Sequence, residues 1–135
     1  MAIAEGVLDE LKRRAREAAA HAYAPYSGFA VGAAVLVESG EIHSSANVEN
    51  ASFGLSNCAE RNAIFQAVAS GARRIDALAV YTETAASTMP CGACRQVLSE
   101  FGAGAIVICC STEDSHEWRF TLEQLLPAAF GPASL

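Results

Sequence analysis

Two short and almost wholly apolar runs, residues 75–81 and 105–110, constrain this chain more than any other feature. Each is bounded by polar or turn residues, and each is too short for an ordinary helix. Both are therefore expected to be strands buried on both faces. Between them, residues 82–90 read as a polar loop and residues 91–101 as a helix closed by Gly102. A strand, a helix and a second strand in succession argue for a sheet sandwiched between helices.

The flanking segments supply the other layers. Leu8, Leu11, Ala15, Ala18, Ala19 and Ala22 recur at helical spacing, and turn residues at 23–28 end that helix. Residues 29–37 and 42–48, separated by a turn at 38–41, read as a hairpin, so the sheet is mixed. Residues 50–57 are loop-like. Helical spacing returns over 58–70, with Gly71 as its C-cap. A short edge strand is expected at 118–120. Thr121 should then cap a short helix, 122–126, that ends at Pro127. The expected fold is α/β: a three-layer α/β/α sandwich around a mixed sheet of about five strands, with residues 1–135 forming one domain.

Composition excludes some partners. The formal net charge is −6, and the longest basic run is Lys12, Arg13 and Arg14, read as a solvated helix face. Binding to a phosphate backbone needs clustered positive charge, so no nucleic-acid partner is expected. No apolar stretch approaches a membrane span, and no membrane partner is expected. The first eleven residues carry Glu5, Asp9 and Glu10 and lack the basic start of a signal peptide, which gives an expected cytoplasmic location. Five cysteines in a reducing compartment suggest metal or chemistry more than disulfides. Hydrophobic residues make up 52% against 18% charged, an apolar balance that suits burial between subunits.

Cysteine spacing carries the chemistry. Cys91 and Cys94 are three apart at an expected helix start, so both sulfurs can face one ion. Cys58 begins another expected helix and can reach the same ion if the two N-termini converge. Helix N-termini favour the thiolates that zinc needs. Three ligands leave the fourth position of a tetrahedral zinc open for water, whose pKa the metal lowers towards about 7. Glu60, two residues past Cys58, is then free to carry protons. Three thiolates leave the cluster with net negative charge, and Arg61 is the natural cation to offset it. A redox pair would need no Cys58-x-Glu60 segment, and a structural zinc site would ordinarily supply a fourth Cys or His. Cys109 and Cys110 lie in an apolar strand and read as inert core thiols. His21, His43 and His116 fall outside both motifs and read as surface or helix-face residues.

The segments Cys58-Ala-Glu60-Arg61 and Pro90-Cys91-Gly-Ala-Cys94-Arg-Gln96 resemble the cytidine deaminases in their small, homotetrameric, three-cysteine form. The resemblance covers nearly the whole chain. It extends through Tyr23-Ala-Pro-Tyr-Ser-Gly-Phe29, Val31-Gly-Ala-Ala34, Asn47-Val-Glu-Asn-Ala51 and Leu125-Leu-Pro-Ala-Ala-Phe130. It implies a Zn2+ cofactor on Cys58, Cys91 and Cys94, with Glu60 as proton shuttle. It implies that Asn47 and Glu49 meet the ribose hydroxyls, that Phe29 packs against the nucleoside, and that the backbone near Ala59 contacts the base. Phe130 would reach a neighbouring subunit's site, so the sites would lie at subunit interfaces. The implied reaction is hydrolytic deamination of cytidine or 2′-deoxycytidine in pyrimidine salvage. On the residues alone, Asn47 and Glu49 serve equally as polyol ligands or as a hydrogen-bonded loop, and Phe29 and Phe130 read as core aromatics. Three departures from the family pattern are Ala46, Met89 and Gly54-Leu-Ser56. Of these, Met89 bears on the pocket wall. The alternatives are a deaminase of a modified cytosine nucleoside such as a blasticidin-type antibiotic, a nucleic-acid-editing deaminase, and a non-enzymatic zinc-stabilised module.

Overall fold

The computed structural model describes residues 2–135; Met1, where the segment read as leaderless begins, lies outside them. The elements run α1 (Glu5–Ala19), β1 (Val31–Val37), β2 (Ile42–Ala46), α2 (Ala59–Ala69), β3 (Ile75–Thr82), α3 (Gly92–Phe101), β4 (Ile106–Cys110), β5 (Trp118–Thr121) and α4 (Leu122–Leu125). The five strands form one sheet in the order β2-β1-β3-β4-β5. Only β3 and β4, joined across α3, run parallel. The other three pairings are antiparallel, which makes the sheet mixed as expected.

Strand alternation divides the core into two layers. Ala34 and Leu36 of β1 face α1, whose buried stripe is Leu8, Leu11, Ala15 and Ala19. Ala33, Val35 and Val37 face the opposite way, onto Ala59, Ala63, Ile64 and Ala67 of α2 and Leu98 of α3. The result is the α/β/α sandwich. Many of the contacting residues are alanines, so helix and sheet backbones approach closely. Gly32 marks the limit: a Cβ there would lie 1.9 Å from the Ala15 carbonyl oxygen.

The first strand begins at Val31, not Phe29, and two further boundaries differ from the sequence expectation for one reason. The first helix stops at Ala19, not near Ala22, and β2 stops at Ala46, not Val48. Beyond these points the backbone groups bond to each other: Tyr23 N donates to Asn47 O, and Glu49 N donates to Tyr23 O. Val48 also exchanges hydrogen bonds with Asn57. Asn47 and Glu49 therefore lie in a small cross-tied loop region instead of a strand end. At the far edge, Thr121 and Gln124 form a capping box that starts α4 where β5 ends. Arg119 of β5 is held by Glu5 and Glu117, which fastens that edge strand to α1. Among the described residues, no helix is long and apolar enough to cross a membrane.

Candidate metal centre and active site

Both α2 and α3 begin at the same end of the sheet, beside the start of β1 and the C-terminal end of β3. Each has a cysteine at its N-cap: Cys58 with φ −71° and ψ 152°, and Cys91 with φ −67° and ψ 168°. A cap residue is half outside the helix, so its side chain points across the first turn towards the third helical residue. On α3 that third residue is Cys94, and the two sulfurs lie 3.4 Å apart. The Cys58 and Cys91 sulfurs are 3.9 Å apart, and all three lie within 4.8 Å of one another. A tetrahedral zinc with Zn–S bonds of about 2.3 Å requires sulfur edges of about 3.8 Å, which this cluster approaches.

The donor chemistry also fits a cation. The Cys58 thiol is drawn down to about 5, first by a hydrogen bond from Cys94 and then by Arg61. Cys94 is pushed strongly upward by that same hydrogen bond and by burial. The protein alone thus ionises one sulfur at the expense of its neighbour, and a dication would relieve the conflict. Arg61 places Nη2 3.3 Å from the Cys58 sulfur, while its buried Nε has no partner among the described residues. No other cluster of three or more metal-donor side chains occurs among the described residues. Burial raises the Cys109 and Cys110 thiols to about 12 and about 11, so both are protonated at neutral pH.

Beside the sulfurs is a cavity of about 190 Å³. Glu60 reaches it from the second residue of α2 and is only 5% exposed. Burial pushes its carboxyl up to about 7, with the neighbouring Cys58 adding to the effect. A group poised there can hold or release a proton near neutral pH. Phe29, Asn47, Glu49 and Ala59 line the same cavity, as do Cys58 and Cys91. Cys94 and Arg61 stand behind it. Phe130 is exposed on the C-terminal segment and does not line this cavity.

Asn47 and Glu49 are already engaged. The Asn47 amide accepts from Val31 N at 2.9 Å and donates to Phe29 O at 2.8 Å. The Glu49 carboxylate accepts from Tyr26 N and Ser27 N at 2.9 and 3.1 Å, and from the Ser27 hydroxyl. Both side chains thus shape the loop that presents Phe29, and each keeps spare acceptor capacity towards the cavity.

Sequence reasoning missed several cavity residues. Ser27, Val80, Thr82 and Thr88 contribute to the wall, beside Met89, which the sequence had placed there. Met89 was marked by its departure from the family pattern and Ser27 by lying within the Tyr23–Phe29 segment; Val80, Thr82 and Thr88 carried no signal. The loop bearing Thr88 and Met89 is pinned from the 111–117 segment. Ser111 Oγ donates to Ala85 O, the His116 ring contacts the same carbonyl through Nδ1, and Ser87 donates to His116 O. Nothing local in the sequence links those residues.

Residues 7–110 match the family described as the cytidine and deoxycytidylate deaminase zinc-binding region. This chain belongs to that family. The cofactor of the family's zinc-binding region fits the cluster of Cys58, Cys91 and Cys94. The chain is 41% identical over 128 residues to a cytidine deaminase of Sporosarcina psychrophila, spanning 95% of this chain and 94% of that protein. It is 45% identical over 122 residues to a cytidine deaminase of Mycobacterium tuberculosis, spanning 90% and 87%. The crystal structure of a cytidine deaminase from Burkholderia pseudomallei superposes with a TM-score of 0.86 at 44% identity, covering 90% of this chain and 98% of that one. The mixed five-stranded α/β architecture is therefore that of the deaminase family.

Proposed function

We propose that the protein is a zinc-dependent hydrolase that converts cytidine or 2′-deoxycytidine and water to the uracil nucleoside and ammonia. The observation that carries this reading is the buried Glu60 carboxyl, set in a cavity lined by two of the three clustered cysteines, Cys58 and Cys91. Cytidine deaminases related over nearly their whole length support it.

In this reading Cys58, Cys91 and Cys94 are the zinc ligands, and Arg61 offsets their negative charge. Bound there, zinc supplies a Lewis acid that makes water a competent nucleophile at neutral pH. Glu60 accepts a proton from the attacking water and delivers it to ring N3 as the oxygen bonds to C4. The carboxylate then takes the second proton from the new C4 hydroxyl and delivers it to the amino nitrogen; the C4–N bond breaks as the C4 carbonyl forms, and ammonia leaves. Phe29 packs against the nucleoside, Asn47 and Glu49 use their spare acceptors on the sugar, and the backbone near Ala59 contacts the base. Met89, on the cavity wall, limits the bulk accepted beside the reacting carbon.

Residues 1–135 form one domain in this reading, and the working unit is a homotetramer with sites at subunit interfaces. Phe53, Leu55, Phe65 and Phe130 are exposed, which suits burial against other copies. The five cysteines are free, which suits a reducing cytoplasm; the reaction in this reading belongs to pyrimidine salvage.

The test is a substrate panel of cytidine, deoxycytidine, cytosine, cytidine monophosphate and blasticidin S, followed by ultraviolet absorbance. Turnover confined to blasticidin S would overturn the main reading. In the same assay Glu60→Gln should retain zinc and lose on the order of 100- to 10,000-fold in kcat, because an amide cannot relay the proton.

A further inference from the structure

Arg95 and Gln96 follow Cys94 directly, and the reaction as derived above gives neither a task. Their side chains nevertheless make three well-formed bonds. Arg95 Nε donates to Pro90 O at 2.7 Å, the carbonyl just ahead of Cys91. Its Nη1 donates to Leu125 O at 2.9 Å, in the last turn of α4. Gln96 Nε2 donates to Phe130 O at 2.9 Å. Among the described residues, no carboxylate lies within ion-pair distance of Arg95. Its guanidinium is used as a rigid fork between two backbone segments 35 positions apart in sequence.

Both acceptors need such a donor. Leu125 O belongs to the carbonyls a helix end leaves without an internal partner. Among the described residues, the hydrogen bonds of 131–135 stay within that segment, so Phe130 O is its tie to the body of the fold. Between these two points the chain turns sharply at Ala128, whose φ of 53° is in the left-handed region. A non-glycine residue keeps that conformation only where its surroundings over-determine it. The Leu125 and Phe130 bonds flank Ala128 and supply that constraint.

We propose that Arg95 and Gln96 are positioning residues that tether the C-terminal segment to the turn carrying Cys91, so that Phe130 and the cysteine pair are set in place together. One helical turn of α3 then serves both ends of the site: Cys91 and Cys94 hold the metal side, while the adjacent Arg95 and Gln96 fix the tail. The consequence for substrate affinity rests on the reading that Phe130 walls a neighbouring copy's cavity. The tether itself does not.

Amide hydrogen exchange of the zinc-loaded enzyme separates the two. Gln96→Met should speed exchange across 128–135 by about 3- to 10-fold, the equivalent of one lost hydrogen bond. It should raise KM for cytidine and leave kcat and zinc release to a chelator unchanged. Arg95→Met should loosen the same segment and also speed zinc release by about 10-fold, since it frees the Pro90 carbonyl. Arg95→Lys keeps the charge and loses the fork; it should show both effects to a smaller degree, and it serves if Arg95→Met fails to fold. Unchanged exchange in 128–135 for all three variants would overturn the tether. A loosened tail with unchanged zinc release in the Arg95 variants would overturn its coupling to the cysteine pair. Faster exchange with unchanged KM would uphold the tether and defeat only the reading of Phe130.

Discussion

Cys58 and Cys91 occupy the same position on two different helices, yet the two helix starts are braced by different physics. On α2, Arg61 lies one turn on and donates to the Cys58 sulfur itself. On α3, Arg95 lies one turn on and donates to the carbonyl before Cys91, leaving the sulfur untouched. The first brace is electrostatic, acting on the charge of the thiolate. The second is geometric, acting on the backbone that aims the thiolate. Burial separates them further: Cys58 is half-buried and Cys91 exposed. A sulfur inside a low-dielectric site gains much from a cation, whereas one at the surface gains more from a fixed direction. Similar sequence offsets, Cys-x-x-Arg and Cys-x-x-x-Arg, thus perform separate tasks.

The largest effects should fall equally on the two starts and leave the comparison intact. Cys58→Ser and Cys91→Ser should each weaken zinc binding several hundredfold or more, since a binding energy of about 10–16 kcal/mol is shared among few ligands. Competition against a chromogenic chelator measures this. A Cys91→Ser protein that kept wild-type affinity would remove Cys91 from the ligand set. Arg61→Gln should break the symmetry. A loss of about 10- to 100-fold in kcat or zinc affinity is expected, with exchange in 128–135 unaltered. If Arg61→Gln instead loosened the tail, the two braces would not be distinct.

Smaller effects test whether the braces are local. Gly32→Ala drives a methyl into the α1 backbone on the opposite layer and should cost about 1–3 kcal/mol or more of stability. Thermal unfolding should shift while zinc per folded molecule stays the same. The smallest effect concerns Glu117, where burial alone would raise the carboxyl pKa but hydrogen bonds from Lys12 and Arg119 hold it below 4.5. Its folded value is depressed, so its contribution is present above 4.5 and is lost as pH falls through the lowered value. Glu117→Gln should remove no more than about 1 kcal/mol at pH 7 and flatten the acid limb of the stability profile. Neither change should alter the kcat ratio between wild type and Arg61→Gln.

Much of the fold was legible because it follows from local periodicity. The runs at 75–81 and 105–110 could only be buried strands, and the alanine-rich stripe of α1 could only face a sheet. Thr121 announced its helix because threonine is a favoured N-cap, and the structure adds the reciprocal bond with Gln124. The segments that escaped are those governed by distant backbone partners. Val48 reads as strand, but its hydrogen bonds go to Asn57 and its neighbours' to Tyr23, so β2 ends early. The site divides similarly. The cysteines and Glu60 could be named from spacing, while Val80, Thr82 and Thr88 carry no local mark of lining a cavity. Asn47 and Glu49 were equally readable as sugar ligands or loop supports, and the structure shows both engaged in the second task while still lining the cavity.

The sequence by itself determined the identities and offsets of the cysteines that fit a metal, because a helix cap and its third residue face one point whatever else the chain does. It also determined the layers, because burial periodicity is a property of consecutive residues. Only the tertiary structure decided that the starts of α2 and α3 meet within sulfur–sulfur contact. It alone decided that Arg95 braces the direction of the second helix start, beside the charge role already expected of Arg61. Those outcomes depend on crossing the sheet and on which carbonyls are left unpaired at remote helix ends, and no local spacing encodes either.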